Sequence, residues 1–291
     1  NYELYIFLLP AVAYFFIFCY LPMYGVQIAF KDFMPNKGIE GSPWVGMKHF
    51  LRIFRLPSFG QIVWNTLAIS LYTLAVSFPM PVLLALVINE IKSPAFRRST
   101  QTISYAPHFI STVVLVSLID MFLNPDYGTI NRLIELFGGE AVDFLSQQRY
   151  FRSLYVLSGV WQSTGWGAIV YLSALSGIDP QLHESAMIDG ATRLQRIAHI
   201  NLPCILPTVS LLFILQVGGL MSVGFEKTFL MQKSINLELS EVISTYVYKQ
   251  GLLKLQYSFS SAIGLFNSLV NCVLLIITNA VSRSLGGSSL F

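Results

Sequence analysis

The sequence predicts an all-α, polytopic membrane protein with six transmembrane helices, and three observations carry that reading. Composition is the first: of 291 residues, 54% are hydrophobic and 11% charged, against roughly 25% charged in soluble globular proteins. Placement is the second. Six stretches, 4–30, 62–89, 99–119, 153–178, 197–225 and 255–282, contain no Asp, Glu, Lys or Arg, so all 33 charged residues fall in the remainder. Length is the third. A helix rising about 1.5 Å per residue needs about 20 residues to cross a hydrocarbon core of about 30 Å, and the shortest run has 21. A β-barrel would alternate polarity along strands of about 10 residues, which Leu4 to Phe18 and Val273 to Ile277 do not. Disorder and a collagen-like chain are excluded by the same composition.

Taken in order, the crossings fall at about 4–30, 62–89, 99–119, 153–178, 204–225 and 257–282, in one domain covering 1–291. The first run is too long for a signal-peptide core of about 7 to 15 residues, and a chain beginning at Asn1 is expected to be preceded by a further segment. Asp32-Phe-Met-Pro-Asn-Lys-Gly38 ends that crossing in a surface turn. Between Gly46 and Phe59, Met47, Phe50, Leu51 and Phe54 recur at helical spacing with Lys48, Arg52 and Arg55 between them, which predicts a helix lying at the membrane interface. Pro10, Pro22, Pro79, Pro81, Pro107 and Pro207 lie in or near the runs, where a missing backbone donor permits bends.

Six crossings place both termini on one side, with 90–98 and 179–203, and put 31–61, 120–152 and 226–254 on the other. Lys and Arg divide six against twelve between sides of very different length, so their densities nearly tie and do not orient the chain. A net charge of +3 with no basic tract longer than Arg97-Arg98 gives no sign of a nucleic-acid partner. Cys19 and Cys272 sit inside runs and Cys204 beside one, so no disulfide framework or CxxC metal site is available.

A search for catalysis finds no complete motif. His183-Glu184 lacks the second histidine of a zinc-binding H-E-x-x-H helix. Gly219 to Gly224 has the glycine spacing of a phosphate loop, but Phe225-Glu226 stand where Lys and Ser/Thr must meet phosphate and magnesium. No G-x-S-x-G elbow appears, and Asp120 and Glu226 read as markers of span ends. No catalytic, metal-ligating or cofactor-binding residue is assigned. What stands out is a set of polar residues in apolar runs: Asn65, Trp161, Gln162, Ser163, Thr164, Trp166, Gln216, Asn267 and Asn271. Such groups are unfavourable in lipid and face other helices or a watery path. Indoles beside hydroxyl and amide groups, as in Trp161-Gln-Ser-Thr-Gly-Trp166, suit a sugar ring.

The segment Glu184-Ser-Ala-Met-Ile-Asp-Gly190 continues through Thr192 to Leu202-Pro203. Glu184 to Ile188 can form a short helix, Asp189-Gly190 breaks it, and Thr192 can cap a second helix ending near Leu202-Pro203. Such an exposed helix, turn and helix suits docking on a partner. These residues resemble the signature of inner-membrane permeases of binding-protein-dependent ABC importers: E-A-A, three residues, G, nine residues, I-x-L-P. Glu184, Ala186, Gly190, Ile200, Leu202 and Pro203 match; Ser185 replaces the second Ala, and Ile197 stands where Phe is frequent. Phe30-Lys-Asp-Phe33, Gly41 to Gly46, Phe225 to Met231, Val242 to Tyr248 and Ala262 to Asn267 are similar to the branch of maltose-permease-like carriers serving oligosaccharides and polysaccharides.

The resemblance implies a type I ABC importer permease fold and a multi-pass protein of the bacterial cytoplasmic (inner) membrane with cytoplasmic termini. It implies a non-catalytic subunit that forms a carbohydrate path with a homologous second permease, fed by an extracytoplasmic solute-binding protein. ATP and magnesium belong to two separate ATPase subunits. Glu184, Ser185, Ala186, Asp189, Gly190, Ala191, Ile200, Leu202 and Pro203 would then dock on the ATPase, and Gly190 would be intolerant of bulk. A permease for a non-sugar solute and an intramembrane enzyme are the competing readings. No Lys or Arg lies in the runs, so recognition of an acidic sugar is expected from uncharged donors, helix N-termini, the second permease or the binding protein.

Overall fold

The computed structural model describes residues 2–284, whose regular structure is helical apart from two isolated bridges, Lys31 with Trp44 and Met34 with Gly38. They form two compact units, one of residues 2–62 and 243–269 and the other of 63–242 and 270–284, with two of the three borders inside long helices. Four helical stretches are apolar and long enough to cross a membrane, five if one bent pair is counted as a crossing.

The chain opens on α1 (Tyr2–Phe15), which continues through a π turn (Phe16–Tyr20) and a 3-10 segment (Leu21–Phe30), one apolar stretch left largely exposed until Ala29 and Phe30 at its end pack against the chain. Next come α2 (Lys48–Phe54), α3 (Phe59–Ser77) and α4 (Pro79–Asn89). Pro79 takes the first position of α4, where its missing N–H is harmless, so α3 and α4 run together as one apolar stretch.

The crossing expected at 99–119 is not one straight helix. Instead α5 (Pro94–Tyr105) passes into a 3-10 turn (Ala106–Phe109), and α6 (Thr112–Leu123) departs at 98°. Pro107 removes a backbone donor, and Ser111 starts a new helix by accepting from the Val114 N–H. After α7 (Thr129–Leu136), the 29-residue α8 (Gln148–Ser176) covers the expected fourth run but is too polar to count among the apolar stretches.

Following α9 (Pro180–Ile188), α10 (Arg193–Arg196) joins α11 (Leu202–Gly218) through a π turn (Ile197–Asn201), giving one helical stretch over Arg193–Gly218. The expected end at Leu202-Pro203 and start at 204 are therefore corrected. The π turn widens the backbone just before Pro203, which sits in the first turn of α11, so the proline is absorbed. The helix stops at Gly218, short of the expected 225. Short helices α12 (Phe225–Met231), α13 (Leu237–Ser240) and α14 (Ile243–Tyr248) precede α15 (Tyr257–Ser284).

The larger unit is organised by α8. Ala168, Tyr171, Leu172 and Leu175 recur at steps of three and four, forming one stripe that buries against Val82, Ala85 and Leu86 of α4 and Ile205 of α11. A second cluster gathers Ile69, Val116, Phe151, Val223, Met231 and Val242. Where α5 crosses α8, a side chain at Gly165 would overlap the Ser104 carbonyl, so only glycine permits this approach.

Candidate functional site

The exposed connection between α8 and α11 is a knob whose shape follows from three local devices. Asp179 caps α9 by accepting from Gln181 N–H at 3.0 Å. At its other end, Ala191 N–H donates to Ala186 C=O at 2.9 Å and Gly190 N–H to Met187 C=O at 3.1 Å, the paired bonds of a Schellman stop. That stop needs a left-handed residue, and Gly190 has φ +78°. Thr192 then starts α10 in a capping box: Gln195 N–H donates to Thr192 Oγ1 at 3.4 Å and Thr192 N–H to Gln195 Oε1 at 2.7 Å.

Glu184, Ser185, Asp189 and Gly190 are exposed, and Ala186 and Ala191 half-buried, on this knob. Ile200 lies in the π turn, while Leu202 and Pro203 open α11 and belong to the shaft below it. A groove of about 340 Å³ is lined by Ala186, Gly190, Ala191, Gln195, Arg196 and His199 among others. A Cβ at Gly190 would meet nothing within 4 Å, so within this chain glycine is required by its dihedral and not by crowding. Sequence reasoning missed the apolar tips of the knob: Ile188 is 86% and Leu194 78% exposed. Both fill unspecified positions of the signature, and only their exposure singles them out.

The polar residues of the runs do not form one cluster. Asn65 is fully buried: its Nδ2 donates to Glu238 C=O at 2.8 Å and Glu241 C=O at 3.1 Å, and its Oδ1 accepts from Arg152 at 3.1 Å. Asn65 is thus a clamp on α13 and is closed to solute in this conformation. Gln162 Nε2 donates to Ile110 C=O at 2.7 Å, and Trp166 stacks on His108 at 4.5 Å, so both hold the break before α6. Asn271 accepts from Met221 N–H and donates to Ser222 Oγ, each at 2.9 Å, fixing the turn after α11. Trp161 faces an apolar groove with Leu118, Phe122 and Leu157, Ser163 is exposed, and Thr164 returns its hydroxyl to Val160 C=O. Asn267, in the smaller unit, has a buried Oδ1 with no partner among the described residues.

Gln216 lines a partly polar cavity, of about 190 Å³, with Ser70, Thr73, Tyr155 and Ser222 beside the apolar Ile69, Leu74 and Val223. Beside it is a cation that linear counting assigned to a loop. In α12, Lys227 folds back on α8, its Nζ donating to Tyr155 C=O at 2.7 Å and lying 4.6 Å from the Tyr155 ring centre. Burial pushes its pKa down to about 8. No carboxylate pairs with it among the described residues. The charge-free runs hold no Lys or Arg, and this fold-back brings a basic side chain beside the cavity from outside them.

A helical membrane protein with broken apolar helices, a small polar cavity and a capped knob projecting between two long helices has the build of a transport permease. The chain belongs to the family described as binding-protein-dependent transport system inner membrane component, whose model matches residues 77–287. It is 43% identical over 288 residues to the polygalacturonan/rhamnogalacturonan transport system permease protein YteP of Bacillus subtilis (strain 168), covering 99% of this chain and 90% of that one. A crystal structure of a bacterial ABC transporter involved in import of the acidic polysaccharide alginate matches with TM-score 0.90 and 42% identity, over 97% of this chain and 96% of that one. The alginate transporter in complex with an alginate pentasaccharide-bound periplasmic protein matches with TM-score 0.91 and 40% identity, over 99% and 96%.

Proposed function

We propose that this chain is the permease subunit that carries a uronate-containing oligosaccharide or polysaccharide through the bacterial cytoplasmic membrane, powered by ATP hydrolysis on separate subunits. The observation that carries the reading is the knob of residues 179–196, exposed, sharply capped at both turns and joined without a break to the shaft. Counting the broken α5–α6 pair and the polar α8 as one crossing each gives six, so that both ends of the chain share a side with the knob, and docking of the knob on an ATPase would make that side the cytoplasm. Ile188 and Leu194 enter a cleft of the ATPase, together with the signature residues Glu184 to Ala191.

The shaft explains how a push at the knob reaches the solute. Arg193–Gly218 is one helical stretch of 26 residues, about 39 Å long at 1.5 Å per residue. Gln216 near its far end lines the polar cavity, and Tyr155, toward the far end of α8, lines the same cavity. Closure of two ATPases on their knobs would therefore tilt both cavity walls together and exchange inward and outward openings. At about 190 Å³ the cavity is smaller than a complete small-molecule pocket of about 300–1,000 Å³, which supports a path completed by a homologous second permease. An extracytoplasmic binding protein would deliver the solute to the opposite face.

Lys227 supports the acidic class, since an unneutralised cation behind the cavity wall favours an anion there. The relatives' substrates, polygalacturonan and alginate, support it as well. The test is uptake of labelled oligogalacturonide against a neutral oligosaccharide of equal length in cells with and without the chain. Uptake that needs the chain and prefers the acidic sugar is expected. Chain-dependent uptake of the neutral sugar alone would overturn the acidic assignment.

A further inference from the structure

We propose that the smaller unit carries a binding site for the headgroup of an anionic, hydroxylated phospholipid such as phosphatidylglycerol. The site is a cavity of about 280 Å³ whose polar lining is Asp32, His49, Arg52, Gln256, Tyr257 and Ser258. Asp32 is already neutralised. Its Oδ2 lies 2.6 Å from Lys48 Nζ and its Oδ1 2.9 Å from His49 Nε2, and the Lys48 hydrogen bond above all holds its carboxyl below the usual range. What the lining leaves unmatched among the described residues is therefore one cation, Arg52, and two buried polar atoms, His49 Nδ1 and Gln256 Oε1. His49 is only 6% exposed, and its Nδ1 has no partner among the described residues. The Arg52 guanidinium lies 4.3 Å from the Phe259 ring centre, with no carboxylate pairing it among those residues.

The one unmatched acceptor refines the ligand. Gln256 Oε1 is buried without a partner among the described residues and calls for a hydroxyl donor. An anion carrying hydroxyl groups meets Arg52, His49 Nδ1 and Gln256 Oε1 together, as a carboxylate side chain does not. Position selects a lipid as its source, and this step rests on the six-crossing reading above. Asp32 lies two residues beyond the first apolar stretch, which ends at Phe30, and Tyr257 is the first residue of α15, so the cavity sits where two crossings leave the membrane. Leu51 and Phe54 on α2, and Leu252, Leu253 and Leu255 ahead of α15, are each more than half exposed. Acyl chains would cover them, as for an interfacial helix whose basic residues reach headgroups.

The test uses the full chain in its assembled importer, delipidated and placed in phosphatidylcholine nanodiscs, with equilibrium binding of fluorescent phosphatidylglycerol. Binding at least fivefold tighter than to fluorescent phosphatidylcholine is expected, reduced to parity by Arg52→Gln and by His49→Gln. Arg55→Gln, on the same helix but outside the cavity lining, should keep the preference, and Arg52→Lys should keep part of it. Gln256→Leu leaves every cation in place and should remove the advantage of phosphatidylglycerol over phosphatidic acid. Equal affinity for both labelled lipids, or equal loss in Arg55→Gln, would overturn the site. Displacement of the labelled lipid by inorganic phosphate alone would reassign it to a free anion, and loss of binding-protein affinity in Arg52→Gln with lipid binding intact would reassign it to an acidic protein surface. ATP hydrolysis measured on the same preparations reports on the importer reading separately, because no residue of this cavity belongs to the knob.

Discussion

Replacing Gly190 separates two demands that the knob places on one residue. At φ +78° an L-residue in the left-handed region costs about 1–2 kcal/mol, and asparagine less than alanine. The space beyond is open, with no atom within 4 Å of a Cβ. Gly190→Ala and Gly190→Trp should therefore destabilise the isolated chain by similar amounts, within about 1 kcal/mol of each other, since both meet the same dihedral, a Cβ there meets no neighbour, and the groove beside it is roomy enough to take the indole. In the assembled importer the indole would occupy the groove shared with Ala186 and His199, where the ATPase is proposed to sit. A loss of about 3 kcal/mol there is more than a hundredfold in affinity. Thermal unfolding of the purified chain in detergent and ATPase activity of the complex read the two effects apart. The expected result is near-equal unfolding of Ala and Trp variants, with coupled hydrolysis kept by Ala and lost by Trp. Full coupling in Gly190→Trp would refute docking at this turn, and unfolding of Trp far beyond Ala would refute the open geometry.

Lys227 gives a pH signature. Its folded pKa of about 8, against 10.5 ordinarily, means that the unfolded chain binds more protons between those values. Stability should then rise with pH across that window, and the penalty of charging a buried amine should be fully present below it, on the order of 3 kcal/mol at about 1.4 kcal/mol per unit. Lys227→Met should melt higher than the parent at pH 7, with the advantage shrinking toward pH 10, and should lose preference for acidic over neutral oligosaccharide; an unchanged pH slope would contradict the assignment. Asn65→Ala strips partners from Arg152 and two carbonyls, so a loss of about 2–4 kcal/mol in unfolding measurements is expected, with solute preference unaltered in the molecules that fold. Gln162→Leu frees the Ile110 carbonyl and should loosen the break, read as faster hydrogen exchange at residues 106–111, and lower uptake while leaving assembly with the ATPase intact, as read by co-purification.

The apolar helices were legible because lipid imposes a constraint that a linear count can see: no charge for at least 21 residues. The knob was legible for a different reason, since Gly190, Thr192 and Gln195 act on backbone atoms within a few residues of themselves. At 99–119 a bend was legible from Pro107 but its 98° size was not, because apolar composition is blind to direction. Pro203 misled because a proline usually ends a helix, and only the π turn before it makes room. Among the polar residues, Asn65, Gln162 and Asn271 all bond to backbone groups at helix breaks or ends. Sequence shows that such a side chain needs a partner in lipid; it does not show that the partner is a backbone group released by a broken helix far along the chain. Lys227 was hidden likewise, lying two residues past a charge-free run and returned to α8 by the turn at 219–224.

The central claim, that this chain couples to an ATPase it does not itself contain, is tested most directly by purifying it from its native membrane in mild detergent and measuring magnesium-dependent ATP hydrolysis. Hydrolysis should co-purify with the chain, rise when solute-loaded binding protein is added to the reconstituted complex, and be absent from the isolated chain. A preparation of folded chain with no associated ATPase would contradict that claim.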